Sequence, residues 1–301
     1  MKAYKNPEFL NSSTARNIRI LCELEETFYR LQQNKVNATI LFFGSARARP
    51  TSIYKREVEE LSTRIEQCSN DQEKIELEEK MSVLKSLEWM CSQYDLIVDL
   101  SRRLTEWATM PTSKIGARAC ISGVSRRHPS KIDFFGHDTD VVVDQKLFVI
   151  SGGGPGFMQA ANEGASQVPG SRNIGMAISV PFEKGTNTYV TPELAFEFHY
   201  FFTRKFWMVY HCQALIVAPG GLGTFDELFE VLTLKQTGKV QKDLPVVLVG
   251  KEFWKTVINW DALFKFGTIS KKDVDDLFFT DSAEEAAAYI IERLSHKENI
   301  P

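Results

Sequence analysis

Short apolar runs alternate along the chain with longer stretches whose apolar positions recur every three or four residues. Residues 8–33, with Phe9, Ile18, Ile20, Leu21, Leu24, Phe28 and Leu31, predict an N-terminal helix. Val36 to Phe43 predicts a strand that ends at Gly44-Ser45-Ala46-Arg47. Lys146 to Ile150 predicts a second, ending at Ser151-Gly152-Gly153-Gly154-Pro155-Gly156, and Ile174 to Val180 a third, ending at Pro181-Phe182. Ala214 to Ala218 is a fourth, followed by Pro219-Gly220-Gly221-Leu222-Gly223-Thr224, and Val246 to Val249 a fifth, ending at Gly250. Helical patterns fall between them, among them Phe157 to Ala165, residues 193–211 and the run from Leu228 to Leu234. The last helix starts at the capping-box spacing Ser282-x-x-Glu285 and runs to about Leu294. Buried strands alternating with helices predict an α/β fold: a Rossmann-like doubly wound parallel sheet. In such sheets ligands bind beyond the carboxyl ends of the strands, and the glycine turns lie on that side.

Two stretches interrupt the alternation. Residues 54–90 place Val58, Leu61, Ile65 and Cys68 at heptad-like spacing, break at Ser69-Asn70-Asp71, and resume with Leu77, Met81, Leu84 and Leu87. They predict an inserted helical hairpin, read as a solvated arm with one packed face or as a dimer or regulatory contact. Residues 109–145 form a less regular insertion with a basic cluster at Arg126, Arg127, His128, Pro129 and Lys131, read as solvated surface. The chain 1–301 is otherwise expected to be a single domain.

Composition narrows the class. The 301 residues are 43% hydrophobic and 25% charged, with a formal net charge of −3, ordinary for a protein with a substantial core and without a global bias toward nucleic acid. No apolar run approaches the roughly 20 residues that span a bilayer. The first residues lack a signal peptide's apolar core. Five scattered cysteines with no Cys-x-x-Cys pair indicate neither a disulfide framework nor a thiolate metal site. A cytoplasmic location is expected.

The chemistry-bearing residues cluster at the glycine turns. A strand, a glycine turn and a helix start make a ready anion site, because the first helical N–H groups are unpaired and the backbone can approach a ligand closely. Thr224 is placed either to cap the helix or to donate to a phosphate oxygen. Asp226 and Glu227 follow, and turn chemistry alone leaves capping and ligand contact evenly matched. The 152–156 cluster departs from Gly-x-Gly-x-x-Gly, since the last position is Phe157, and no Walker motif occurs. Upstream, Arg204 and Lys205 stand among Phe201, Phe202, Phe206 and Trp207. Adjacent helical residues point about 100° apart, so one of the two, Arg204, is expected to face the site. His199 and His211 have no metal-pair spacing and read as structural.

Taken together these residues resemble the LOG (Lonely Guy) family, once widely labelled lysine decarboxylases. Its motif Pro-Gly-Gly-x-Gly-Thr-x-x-Glu is matched at 219–227, and its Arg-Lys-x-x-Met by Arg204-Lys205-Phe206-Trp207-Met208. Ser151 to Asn162 and Phe42 to Arg47 look like its other junctions, and Pro181-Phe182-Glu183 with Phe198 to Phe202 like its longer bacterial-type branch. The resemblance covers roughly 36–53, 91–108 and 146–295.

The resemblance implies a phosphoribohydrolase that cleaves the N-glycosidic bond of a nucleoside 5′-monophosphate, AMP or a cytokinin riboside monophosphate, into free base and ribose 5-phosphate. It assigns Arg204 and Glu227 as catalytic. Gly44, Ser45, Gly153, Met158, Lys205, Gly220, Gly221, Gly223, Thr224 and Glu230 are the expected substrate-binding residues. Asp226 is expected to cap its helix. No metal and no cofactor are expected, because nothing in the chain independently points to a Schiff-base lysine with its supporting groups. A homodimer is expected, with no nucleic-acid or membrane partner. The alternative on the same fold is a non-catalytic nucleotide or molybdenum-cofactor carrier, and a third reading makes the inserted hairpin the mark of a regulatory or scaffold protein.

Overall fold

Side chains alternate between the two faces of a strand, and that alternation decides which helices cover which face of the sheet. The computed structural model describes residues 1–110, 145–179, 185–240 and 243–295. Among these, the strands are β1 (Thr39–Phe43), β2 (Phe148–Ser151), β3 (Asn173–Ile178), β4 (Ala195–Phe198), β5 (Cys212–Val217), β6 (Val246–Val249) and β7 (Leu277–Thr280). The helices are α1 (Pro7–Asn11), α2 (Arg16–Gln33), α3 (Thr51–Gln67), α4 (Asp71–Lys85), α5 (Met90–Thr109) and α6 (Phe157–Ser166), then α7 (Phe201–Tyr210), α8 (Leu222–Gln236), α9 (Lys251–Val257), α10 (Trp260–Lys265), α11 (Lys272–Asp275) and α12 (Ala283–Ser295). Most of the expected 109–145 segment, with its basic cluster, and the 181–183 signature lie outside the described residues.

The strands form one parallel sheet in the order β4-β3-β2-β1-β5-β6-β7. Leu41, Phe43, Ile150, Met176, Leu215, Val217 and Leu248 pack on one face with Leu31 of α2, Met208 of α7, Leu228 of α8 and Trp254 of α9. Ile40, Phe42, Val149, Ala214, Ile216 and Val247 pack on the other with α5, α6 and α12. All five residues of β1 are buried, as a central strand requires. The chain steps outward from β1 through β2 and β3 to β4, then returns through α7 to β5 on the other side of β1. The β1/β5 boundary is therefore the point where strand order reverses, and the crevice at its carboxyl end is the favoured ligand position for such sheets.

Three sequence expectations are corrected. Residues 193–211 are not one helix: Ala195-Phe196-Glu197-Phe198 is an edge strand whose residues alternate between exposed and buried, and the helix begins only at Phe201. The period-two pattern over four residues won over helical spacing because β3 offers a free edge to pair with. The N-terminal helix is broken, with a 3-10 turn at Ser13–Ala15 separating α1 from α2. Leu277–Thr280 was missing from the expected strands; it is a four-residue edge strand flanked by acids, too short to show a period. The remaining edge, at β4, is covered by α2: Arg30 donates to the Ala195 carbonyl at 2.8 Å and stacks 3.9 Å from the Phe196 ring. Residues 51–85 form two helices, α3 and α4, that pack on each other across a three-residue connection capped by Asn70. Tyr54, Leu84 and Cys91 make their small separate core. At the start of α12, Glu285 N–H donates to Ser282 Oγ at 3.2 Å, while the Glu285 carboxylate accepts from Thr280 rather than from the cap backbone, so half of the capping box is made.

The closest helix packing on the second face is α5 against α6. A Cβ added at Gly164 would collide with the Val98 carbonyl and come within 2.9 Å of Ser101 Cβ. Gly164→Val is therefore expected to destabilise the fold by about 3 kcal/mol or more, read as a lower urea midpoint with unchanged slope.

Candidate active site

Three glycine turns meet at the carboxyl ends of β1, β2 and β5, and the backbone of Ser45 ties them together. Its N–H donates to the Pro219 carbonyl at 2.9 Å, and its carbonyl accepts from Phe157 N–H at 3.1 Å. The approach is close enough to require glycine. A Cβ at Gly44 would lie 2.8 Å from Phe157 and 2.9 Å from Ala218. Gly156 adopts φ +70° with the Ser45 carbonyl where a side chain would be. A Cβ at Gly220 would overlap Thr224, whereas the positions a Cβ would take at Gly221 and Gly223 are open. Gly221 is the N-cap of α8 and is exposed, so the unpaired N–H groups of the first turn face an open crevice.

The β2 turn is held from below by a buried amide network. Ser151 Oγ donates to Asn162 Oδ1 at 2.7 Å and accepts from Gly153 N–H at 3.0 Å. Asn162 in turn donates to Asn173 and to the Ile174 carbonyl. Asn187 donates to the carbonyls of Gly153 and Gly154, at 3.0 and 3.2 Å. Gly153 itself sits at φ +72°.

Arg204 and Lys205 diverge as their 100° separation demands. Arg204 Nε donates to the Met176 carbonyl at 2.7 Å, and its guanidinium lies against Gly152, where Met158 also rests. Lys205 turns the other way, toward α8. Its Nζ is 2.6 Å from Asp226, 3.0 Å from Glu230 and 3.9 Å from Glu227. Lys205 thus lies among the α8 carboxylates while Arg204 lies against the β2 turn. Asp226 does not cap: α8 has no side-chain cap, and the carboxylate pairs with Lys205 instead. The ammonium across the groove outcompetes the helix N–H groups for it.

Glu227 is 6% exposed. Burial pushes its pKa up to about 7, with Glu230 and Asp226 adding to the rise while Lys205 and Arg204 oppose it. Its Oε2 is shielded from solvent and takes no hydrogen bond from the described residues. Burial works against the Lys205 ammonium too, yet its pairs with Asp226 and Glu230 outweigh that and hold its pKa above the ordinary lysine value. An amine so held is a poor Schiff-base former, so these residues do not fit a pyridoxal-type cofactor.

Sequence reasoning missed Glu23. From α2 its carboxylate accepts from His199 N–H at 2.8 Å, Tyr200 N–H at 3.4 Å and the Thr203 hydroxyl, and so anchors the first turn of the helix that carries Arg204. No local signal marks it, because its partners lie about 180 residues away. Asn187 was missed for a similar reason, although Asn162 stands inside the quoted junction.

The raised pKa of Glu227 has a stability consequence. A carboxyl whose folded pKa lies above its unfolded value stabilises the fold below the unfolded value, and that contribution is lost as pH rises through about 7. Glu227→Gln is therefore expected to stabilise the fold relative to wild type at pH 8, by on the order of 2 kcal/mol and with a higher melting temperature, and to have little effect at pH 5. Paired thermal melts at the two pH values check this.

No helix of the described residues is long and apolar enough to cross a membrane. Comparison with curated proteins found no match. A family model described as Possible lysine decarboxylase matches residues 158–290, a span that holds Arg204, Lys205 and the whole 219–227 turn but not the β1 turn. Family membership supports an enzyme activity of the nucleotide phosphoribohydrolase type at the level of the family. The match and the two motifs within it identify residues 158–290 with this family, now recognised as the LOG family.

Proposed function

We propose that the protein hydrolyses the N-glycosidic bond of a nucleoside 5′-monophosphate, with AMP as the first substrate to test. The observation that carries this reading is the buried Glu227 oxygen that no described residue satisfies, set one helical turn beyond an open, anion-binding glycine turn. A buried acceptor without a donor is costly, and a ribose hydroxyl or an attacking water supplies one. In this reading the 5′-phosphate lies against Gly220, Gly221, Gly223 and Thr224 at the N-terminus of α8. Breaking the bond from C1′ to the base develops positive charge on the sugar, which the Glu227 carboxylate stabilises in a site of low polarity. Arg204 assists departure of the base or binds phosphate. Ser45, Gly44, Gly153 and Met158 wall the pocket, and Lys205 with Glu230 tunes the charge on Glu227. Phosphate binding energy aligns the sugar for the reaction.

The expected homodimer belongs to the same proposal. Leu222 and Phe229 are exposed in a cleft of about 690 Å³ also lined by Lys205, Asp226 and Glu230, and Phe201 and Phe202, on the helix that carries Lys205, are exposed as well. An apolar surface next to charged site residues suits a second copy of the chain, which would cover it and close the site.

Purified protein incubated with AMP is expected to release adenine and ribose 5-phosphate. Glu227→Ala is expected to lower kcat/KM at least ~100-fold and Arg204→Ala ~10-fold or more. Wild-type kcat/KM should rise with pH to a plateau above about 7 as Glu227 ionises. No release of adenine, or equal rates in wild type and Glu227→Ala, would sink the reading, and tight AMP binding without turnover would favour a carrier instead. Leu222→Glu is expected to convert a dimer to a monomer in sedimentation and to reduce activity with it.

A further inference from the structure

A second cleft opens on the same edge of the sheet, at the carboxyl ends of β6 and β7. It has a volume of about 510 Å³, within the roughly 300–1,000 Å³ of small-molecule sites. Gly250 and Asp281, the residues that follow β6 and β7, form its base, and α9 contributes Glu252 and Phe253. Trp89 and Gln93, from the start of α5, complete its lining. It shares no residue with the site around Glu227, yet it abuts it: a Cβ added at Gly250 would press 2.9 Å from Pro219 of the glycine turn.

We infer that this cleft is a binding site for a free, unphosphorylated purine base. Three independent features select that chemistry. The Trp89 and Phe253 rings stack with centroids 5.8 Å apart and an interplanar angle of 21°, and Trp89, 45% exposed, lines the cleft with an aromatic ring. Such a ring stacks on planar heterocycles. The charged groups on the walls are acceptors, set beside the Gln93 amide and the Thr256 hydroxyl, which can each donate or accept. Asp281 Oδ1 takes the Lys251 N–H at 2.9 Å, which leaves Oδ2 to accept, and Glu252 adds a second carboxylate. Gln93 Oε1 is out of solvent and accepts no hydrogen bond from the described residues. A purine presents ring and exocyclic N–H groups that match those acceptors. Two carboxylates, with no lysine or arginine among the described lining residues, repel a phosphate. The cleft therefore separates a base from its nucleotide by charge. If the N-glycosidase reading holds, a free base is the reaction's product and the cleft is where product lodges; that link rests on the reading, whereas the binding site does not.

Isothermal titration of the full chain with adenine tests it. Adenine is expected to bind wild type. Trp89→Ala is expected to weaken binding at least tenfold, and Gln93→Leu several-fold. Glu227→Ala should leave adenine binding within twofold, and saturating ribose 5-phosphate should not displace adenine. No binding up to the solubility of adenine, binding that survives both Trp89→Ala and Gln93→Leu, or binding lost in Glu227→Ala would overturn the proposal. Should Trp89→Ala fail to fold by circular dichroism, Gln93→Leu and Asp281→Ala decide the matter alone, the latter also expected to weaken adenine. Adenine binding with no hydrolysis of AMP would keep the site and remove only its role as a product site.

Discussion

The two backbone hydrogen bonds of Ser45 hold the ligand edge of this protein together. One reaches Pro219 across the β1/β5 boundary, and the other accepts Phe157 at the start of α6. Both need the chain to pass within van der Waals contact of its neighbours at Gly44 and Gly156. Three turns from distant parts of the sequence are thereby locked into one rigid rim. A site built on such a rim keeps its donors aimed without reorganisation, which is the condition under which fixed dipoles act most strongly on developing charge.

Charge on that rim is balanced unevenly. One ammonium, Lys205, answers Asp226 and Glu230 closely and Glu227 only at 3.9 Å. Exposed Asp226 and half-buried Glu230 therefore hold the lysine, and buried Glu227 is left short of partners. That asymmetry follows from helix geometry: Asp226, Glu227 and Glu230 leave α8 in different directions, and Glu227 alone turns into the core. The high pKa of Glu227 is thus a property of its placement, and the penalty of burying it is a stability cost retained at the site. Arg204 stands on the far side of the rim, anchored by the Met176 carbonyl and, through α7, by Glu23.

Much of this was legible from residue order. Gly44, Gly153 and Gly220 to Gly223 could be placed at strand ends because glycine turns after apolar runs have one common use in parallel sheets, and the central strands were read to within a few residues. The edges were not. Ala195–Phe198 was hidden inside a helical pattern, and Leu277–Thr280 was too short to carry a period, since an edge strand owes its existence to a neighbour's open hydrogen bonds. Asp226 was misread as a cap because the competing ammonium, Lys205, lies on another helix and cannot be seen locally.

The sequence by itself therefore determined the class of sheet, the side on which a ligand would sit and the residue types gathered there, since all of these follow from local periodicity and turn chemistry. Only the tertiary structure decided which carboxylate is buried, where Arg204 and Lys205 part company, and that Glu23 and Asn187 brace the site. Those outcomes depend on contacts between residues far apart in the chain, and desolvation and pairing energies exist only once such residues are brought together.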